Sequence, residues 1–172
     1  MNILSTAIEI EGHDKNGKDT IAKYIEQLGN YAYNINVRGI LTQLVYNDKF
    51  SRNNTYILTY KPLIILLSTN PKDVEIRCRM TKEPKINVLK DTEVYESYAR
   101  YLEEKDLAIV WRFNTSLNTP FQLGNEIVQR LKGLNPNDFI LSEPIEVSSL
   151  NLYSSKDLEN EEVYYGPLET KE

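Results

Sequence analysis

Residues 63–67 (LIILL) are five aliphatic side chains in a row, with no polar residue between them. A strand with one wet face alternates in polarity. An unbroken run has to be covered on both faces, which calls for helices above and below a parallel sheet. The segments around this run alternate in the same sense. Residues 3–10 are rich in β-branched and aliphatic side chains and run out towards Gly12. Ile21, Ala22, Tyr24, Ile25 and Leu28 follow at helical spacing, with Gly29 where a C-terminal cap belongs. Residues 31–37 read as a second strand leading to Arg38 and Gly39, and Ile40, Leu41, Leu44 and Val45 as a second helix. Residues 48–54 are polar and loop-like.

Beyond the aliphatic run, Asn70 and Pro71 supply an N-cap and a first-turn proline for a charged helix reaching Thr81. Asp91 or Thr92 caps the next helix, which carries Val94, Tyr95, Tyr98, Tyr101 and Leu102. Residues 107–113 form the last core strand. Thr119 and Pro120 open a final helix with Leu123, Ile127 and Leu131 on one face, closed by Gly133. Strands alternating with helices in this way predict a three-layer α/β/α fold with a mostly parallel sheet over residues 1–134. Residues 135–172 change character: acidic, with three prolines and short alternating pieces, they read as an extended tail or a β-ribbon packing on the core or on a partner.

Composition narrows the classes. The 172 residues suit one ordinary domain, and a formal charge of −5 argues against a protein that coats duplex nucleic acid. The single cysteine, Cys78, rules out an internal disulfide framework and reads as a small buried helix residue in a protein of the reducing cytoplasm. No segment approaches the ~18 apolar residues of a membrane span, and the N-terminus has neither a charged n-region nor a long apolar stretch, so a soluble, unprocessed chain is expected.

Between the first strand and the first helix lies Gly12-His13-Asp14-Lys15-Asn16-Gly17-Lys18-Asp19-Thr20, which fits G-x-x-x-x-G-K in its required strand–loop–helix setting. Glycines let the backbone wrap so that N–H groups converge on an anion, and the helix N-terminus adds its positive end. Lys18 then reaches the β- and γ-phosphates of a triphosphate. Asp19 stands where a metal-binding Ser or Thr is usual. Asp19 and Thr20 are the candidate Mg²⁺ ligands, because hard oxygen donors suit that ion and a carboxylate beside phosphates repels them unless a metal intervenes.

The stretch from Glu11 to Thr20 resembles the loop of thymidylate kinases and related deoxynucleoside monophosphate kinases, roughly E-G-x-D-x-x-G-K-[ST]-T. Its Gly-Lys-Asp-Thr ending is similar to that of some bacteriophage deoxynucleotide kinases. The resemblance implies a P-loop NTPase fold, ATP and Mg²⁺ as cofactors, small-molecule nucleotides as partners, a homodimer, and the cytoplasm of a host cell if the chain is phage-encoded. It places Asp14 near the acceptor sugar, Arg38 on the acceptor phosphate, Arg77 and Arg79 on a mobile lid within residues 62–79, and Asn114, Thr115 and Ser116 beside the adenine. The implied activity is transfer of the ATP γ-phosphoryl group to a deoxynucleoside monophosphate such as dTMP, with Lys18, Arg38, Arg77 and Arg79 neutralising the transferring group.

The pattern departs from that family in several places. Val37 precedes Arg38 where the family has an aspartate, and no apolar run ends in Asp or Glu: residues 63–67 lead to Ser68 and residues 107–110 to Trp111 and Arg112. Residues 29–38 hold one strand where the family holds two with a helix between. A catalytically degenerate relative that binds nucleotide or a protein partner is therefore a second reading, and a kinase of polynucleotide ends, needing a basic groove around Lys49 and Arg52, a third. GTPase function is disfavoured by the lack of an Asn-Lys-x-Asp motif. Arg77 and Arg79 equally read as solvated residues of a charged helix. His13, the only histidine, reads as a loop residue near phosphate rather than a general base, and Tyr46, Tyr95 and Tyr98 as the tyrosines placed to stack on a base.

Overall fold

A computed structural model of the chain describes residues 8–158. Four strands form a parallel sheet in the order β2-β1-β4-β5: β1 (Ile8–Glu11), β2 (Ile35–Val37), β4 (Leu63–Ser68) and β5 (Ile109–Asn114). In register, Ile10 of β1 lies opposite Val37 on one side and Ile65 on the other, and Ser68 of β4 opposite Asn114 of β5. The strand carrying the aliphatic run is central and buried on both faces, as its composition demands.

Helices cover both faces. On one, α1 (Lys18–Leu28) packs against α5 (Pro120–Leu131), and Ile21, Ile25, Leu123 and Ile127 meet Ile8, Ile10 and Ile65. On the other, α2 (Ile40–Lys49) and α4 (Val88–Glu104) bring Leu41, Leu44, Tyr95 and Tyr98 onto Ile64 and Leu66. The layer order is α/β/α. The helix α3 (Pro71–Thr81) rises beyond the end of β4, its Val74 and Cys78 packed with Val88 at the head of α4. Cys78 is fully buried and free of any disulfide. No helix among the described residues is long and apolar enough to cross a membrane.

Several boundaries differ from the sequence reading for identifiable reasons. The second strand is only Ile35–Val37, because Asn30 and Tyr31 adopt left-handed backbone (φ 57° and 58°) in the turn after α1. Neither Asp91 nor Thr92 caps α4. That helix starts at Val88, whose burial against α3 pulls the first turn into the core, and Asn87 Oδ1 accepts the Lys90 N–H at 3.2 Å. At α5, Thr119 does cap, forming a reciprocal box with Gln122.

A strand unforeseen in the sequence, β3 (Tyr56–Tyr60), pairs antiparallel with β6 (Ile140–Val147), with an irregularity between Leu58 and Tyr60. This ribbon joins the core: Phe139, in the 3₁₀ turn Pro136–Phe139, and Val147 are both fully buried. Beyond it, Asp48 accepts from Tyr98 Oη (2.5 Å), Ser149 Oγ and the Leu152 N–H (3.0 Å). Tyr153 Oη donates to Asp91 at 2.5 Å. The described part of the acidic extension is thus strapped across α2 and α4, while residues 159–172 lie outside the described chain. Truncating Phe139 to alanine is expected to lower the unfolding free energy by about 3–5 kcal/mol, as for a core aromatic. Urea denaturation measures it, and an unchanged midpoint would mean that the ribbon is a separable appendage.

Candidate functional site

The loop after β1 is built around an inward-turned lysine. Gly12 has φ 140°, and a Cβ there would lie 2.3 Å from the Leu67 carbonyl oxygen, so the chain can leave β1 at this angle only through glycine. Lys15 (φ 65°) and Gly17 (φ 83°) are also left-handed, which curls the loop into a cup at the N-terminus of α1. Lys18 Nζ donates to the carbonyls of Gly12 (2.7 Å) and His13 (2.8 Å) and to Asn16 Oδ1 (3.2 Å). Asn16 Nδ2 in turn donates to the Leu67 carbonyl at 3.2 Å, tying the loop to β4. Burial pushes the Lys18 ammonium down to about 8, against the pull of Asp14.

His13 and Asn16 take structural places in this loop. The His13 imidazole is buried and accepts the Thr69 N–H on Nε2 at 3.1 Å, so the proton sits on Nδ1 and is donated to the Asp14 carbonyl at 2.8 Å. Burial also lowers its pKa. The ring is therefore neutral and spent on the backbone past β4, so any phosphate contact of His13 falls to its main chain. Asn16, equally buried, serves as the latch to β4.

Around the cup is a cavity of about 420 Å³ lined by residues 14–20, including Asp14, Lys15, Lys18, Asp19 and Thr20, together with Arg38 and Glu83. Arg38 is delivered by the turn between β2 and α2, in left-handed conformation (φ 65°), with its N–H on the Ile10 carbonyl at 2.9 Å and its guanidinium donating to Tyr46. Asp14, Asp19 and Thr20 offer oxygen donors beside Lys18. They form no closed cage, and none of the described residues builds a group of three or more carboxylate, histidine or cysteine ligands. An ion shared between protein and phosphate needs only one or two carboxylates, so the donor set fits Mg²⁺ held jointly with a polyphosphate.

The two arginines expected on a lid part company. Arg77 turns onto the loop and donates to the Lys15 carbonyl at 2.5 Å, whereas Arg79 is engaged one turn back on its own helix by Glu75 at 2.6 Å. Lys15 pairs with Glu83 after α3, so the loop and the end of this helix are joined by an ion pair as well. A second cavity of about 370 Å³ opens between Gly17, Thr20, Arg77, Thr115, Asn118 and Pro120. Thr115 thus borders it, its Oγ1 sharing a 2.5 Å hydrogen bond with Thr69 Oγ1. Asn114 is committed elsewhere, donating to Asn70 Oδ1 at 3.0 Å and accepting the Ser116 N–H at 2.8 Å. Of the three tyrosines, Tyr95 and Tyr98 are buried and hydrogen-bonded in the α2–α4 layer, leaving Tyr46 alone near the cup.

The sequence reading missed two carboxylates. An apolar run does end in an acid: β1 closes on Glu11, and Glu9 lies two residues before it on the same face. Both are buried under the N-terminus of α2. Glu11 accepts N–H bonds from Gly39 and from Thr42 (2.5 Å), plus the Thr42 hydroxyl at 3.2 Å; Glu9 accepts the Ile40 N–H at 3.2 Å. Free N–H groups and the positive end of the helix favour carboxylates there. Burial outweighs them, pushing Glu9 up to about 7 and, with help from the Glu9 charge, Glu11 up to about 8. The alternation Ile8-Glu9-Ile10-Glu11 carried the signal: acids on one face of a strand that helices cover on both sides.

No protein-family model matches the chain, and no curated protein matches its sequence.

The raised acids make stability depend on pH. Both bind protons more tightly folded than unfolded, so their contribution is complete below about pH 4.5 and is lost as pH rises through 7 and 8. His13 and Lys18, with lowered pKa values, work in the opposite direction, His13 only below its ordinary value of 6.5 and Lys18 only from about pH 8 upward. Thermal unfolding between pH 6.5 and 8 should therefore show a falling midpoint, and Glu9→Gln should flatten the fall. A midpoint that rises over this interval would contradict the burial of the pair.

Proposed function

We propose that the protein is a nucleotide kinase that moves the γ-phosphoryl group of ATP to a deoxynucleoside monophosphate. The observation that carries this reading is the convergence of Lys18 and Arg38, from separate strand ends, on one cup of left-handed backbone and helix N-terminus. A cup of this kind is suited to a polyanion, and of the three cations on its wall Lys15 is paired with Glu83, which leaves Lys18 and Arg38 to suit the point where charge builds up as one phosphate oxygen attacks and another departs.

The parts divide as follows. Backbone amides of residues 12–20 would hold the β- and γ-phosphates, with Lys18 released from its loop carbonyls to the phosphate oxygens. The acceptor's phosphate oxygen forms the new bond to phosphorus while the bond to the ADP oxygen breaks. Arg38 grips the acceptor phosphate, and Asp14 reaches the acceptor sugar. Arg77, already on the loop, closes over the donor phosphates, and the cavity by Thr115 and Asn118 receives the donor nucleoside. Mg²⁺ held by Asp19 and Thr20 would neutralise phosphate charge. Arg79 is left to its helix. Phosphoryl transfer depends on positioning and charge more than on a base, so the valine at position 37 does not forbid it. That valine does favour a second reading, a nucleotide-binding relative without turnover.

ADP release measured with Mg-ATP and dAMP, dCMP, dGMP or dTMP separates the two: turnover is expected on at least one, and ATP binding with turnover on none rejects transfer. Lys18→Ala should weaken ATP binding by about 10- to 100-fold, the worth of hydrogen bonds to a charged group. Because phosphates need Lys18 protonated and its pKa in the free protein is about 8, ATP affinity should fall above pH 8, by up to about tenfold per unit. Calorimetry across that range checks both, and an affinity indifferent to Lys18 would remove the basis for the site.

A further inference from the structure

The turn that delivers Arg38 does not hold itself in place. Arg38 and Gly39 lie between the end of the short strand β2 at Val37 and the first turn of α2, and among the described residues β2 pairs on one side only, with β1. Arg38 adopts left-handed backbone, a conformation a non-glycine residue keeps only where its surroundings impose it. The imposing contacts come from β1. The Arg38 N–H is fixed by the Ile10 carbonyl, and both neighbours on the helix side are fixed by acids: Gly39 N–H on Glu11 and Ile40 N–H on Glu9. Glu9 sits so close that a Cβ on Gly39 would fall 2.0 Å from its carboxylate.

Glu11 has the more telling position. It is the last residue of β1, so its own backbone leads directly into Gly12 and the cup. Its two oxygens take different partners: Oε1 receives Gly39 N–H and the Thr42 hydroxyl, and Oε2 receives the Thr42 N–H. With Thr42 Oγ1 donating to Glu11, the Tyr95 hydroxyl donates to Thr42 at 3.1 Å, so α4 buttresses the same group. One fully buried side chain therefore spans from the strand that shapes the phosphate loop to the turn that aims the guanidinium.

Resting on the kinase reading above, we infer that Glu11 is a positioning residue, which acts on the transferring phosphate through Arg38 by clamping the Val37–Gly39 turn to the root of the phosphate loop. It touches no substrate itself. An amide of the same shape loses the match, since in either protonation state both Glu11 oxygens accept a backbone N–H, whereas Gln meets those two donors with one acceptor oxygen and one N–H₂ group. Arg38 then keeps its charge but loses its aim, and groups that act as a unit lose their effect together.

The experiment is a double-mutant cycle on the full chain with Glu11→Gln, Arg38→Ala and the pair, using the four deoxynucleoside monophosphates and Mg-ATP. Glu11→Gln is expected to raise the acceptor KM by about tenfold with ATP affinity within about twofold of wild type. Arg38→Ala costs more, and adding Glu11→Gln to it changes kcat/KM by less than about twofold. A residue that merely supports the fold would instead reduce activity by the same factor in both backgrounds, and that result overturns the proposal. If Glu11→Gln fails to fold, Thr42→Val removes one hydroxyl from the clamp while keeping side-chain volume, and must show the same non-additivity with a smaller effect. Should no monophosphate turn over in the wild type, the kinase reading fails by itself. The clamp is then read without ligand, from amide hydrogen exchange: faster exchange confined to residues 37–42 in Glu11→Gln upholds it, and unchanged protection there overturns it.

Discussion

Where β1 ends beside β4, Glu11 lies opposite Leu66, and the next residue has to pass the Leu67 carbonyl at a distance that leaves no room for a side chain. This parallel pairing sets the site. Gly12 turns away from the sheet at that point, Asn16 comes back to the same carbonyl, and the ammonium of Lys18 fills the space enclosed by the two. His13 adds a second tie, to the backbone just past the end of β4. The cup is a consequence of sheet register as much as of loop composition, because three of its residues are spent on holding it against the neighbouring strand.

Charge is distributed unevenly around the end of β1. A buried ammonium sits in the loop with its pKa pushed down, and two buried acids sit at the foot of α2 with theirs pushed up. All three are thus less disposed to carry charge than in water, for the same reason, the loss of solvent. An incoming polyanion changes that balance on one side only: it favours the charged ammonium and opposes ionisation of the acids nearby. On the proposed function, phosphate binding at the cup and protonation of the acids behind it would be linked, with Arg38, whose turn rests on those acids, between them.

The parts legible in the sequence are those where one local rule decides the outcome. The aliphatic run of β4 could only be a strand covered on both faces, and Pro71 and Thr119 with Pro120 marked helix starts that the fold respects. The loop from Gly12 to Thr20 announced its geometry through two glycines that both take positive φ. What stayed hidden depends on tertiary partners. The strand β3 alternates Tyr56, Leu58 and Tyr60 inward against Ile57 and Thr59 outward, but its partner β6 is some 80 residues away in sequence, among prolines and acids. His13 looked like a phosphate ligand because it lies in the loop, and only the Thr69 N–H beyond β4 shows why it turns inward. Arg77 and Arg79, two apart on one helix, are alike in sequence and differ in role because 100° of rotation per residue puts one over the loop and leaves the other with Glu75.

The buried acids illustrate the limit of reading composition by sign. Glu9 and Glu11 look like solvent-facing residues of an alternating edge strand, yet β1 is second from the edge and covered on both sides. Their alternation does mark one face of a strand, but the face meets a helix N-terminus rather than water. N–H groups that helix geometry leaves unpaired are what make such a face habitable for a carboxylate. The absence of an aspartate at position 37 then takes on a different meaning: the acid that governs this turn comes from the neighbouring strand, and Arg38 is held from behind by β1 rather than from beside by its own.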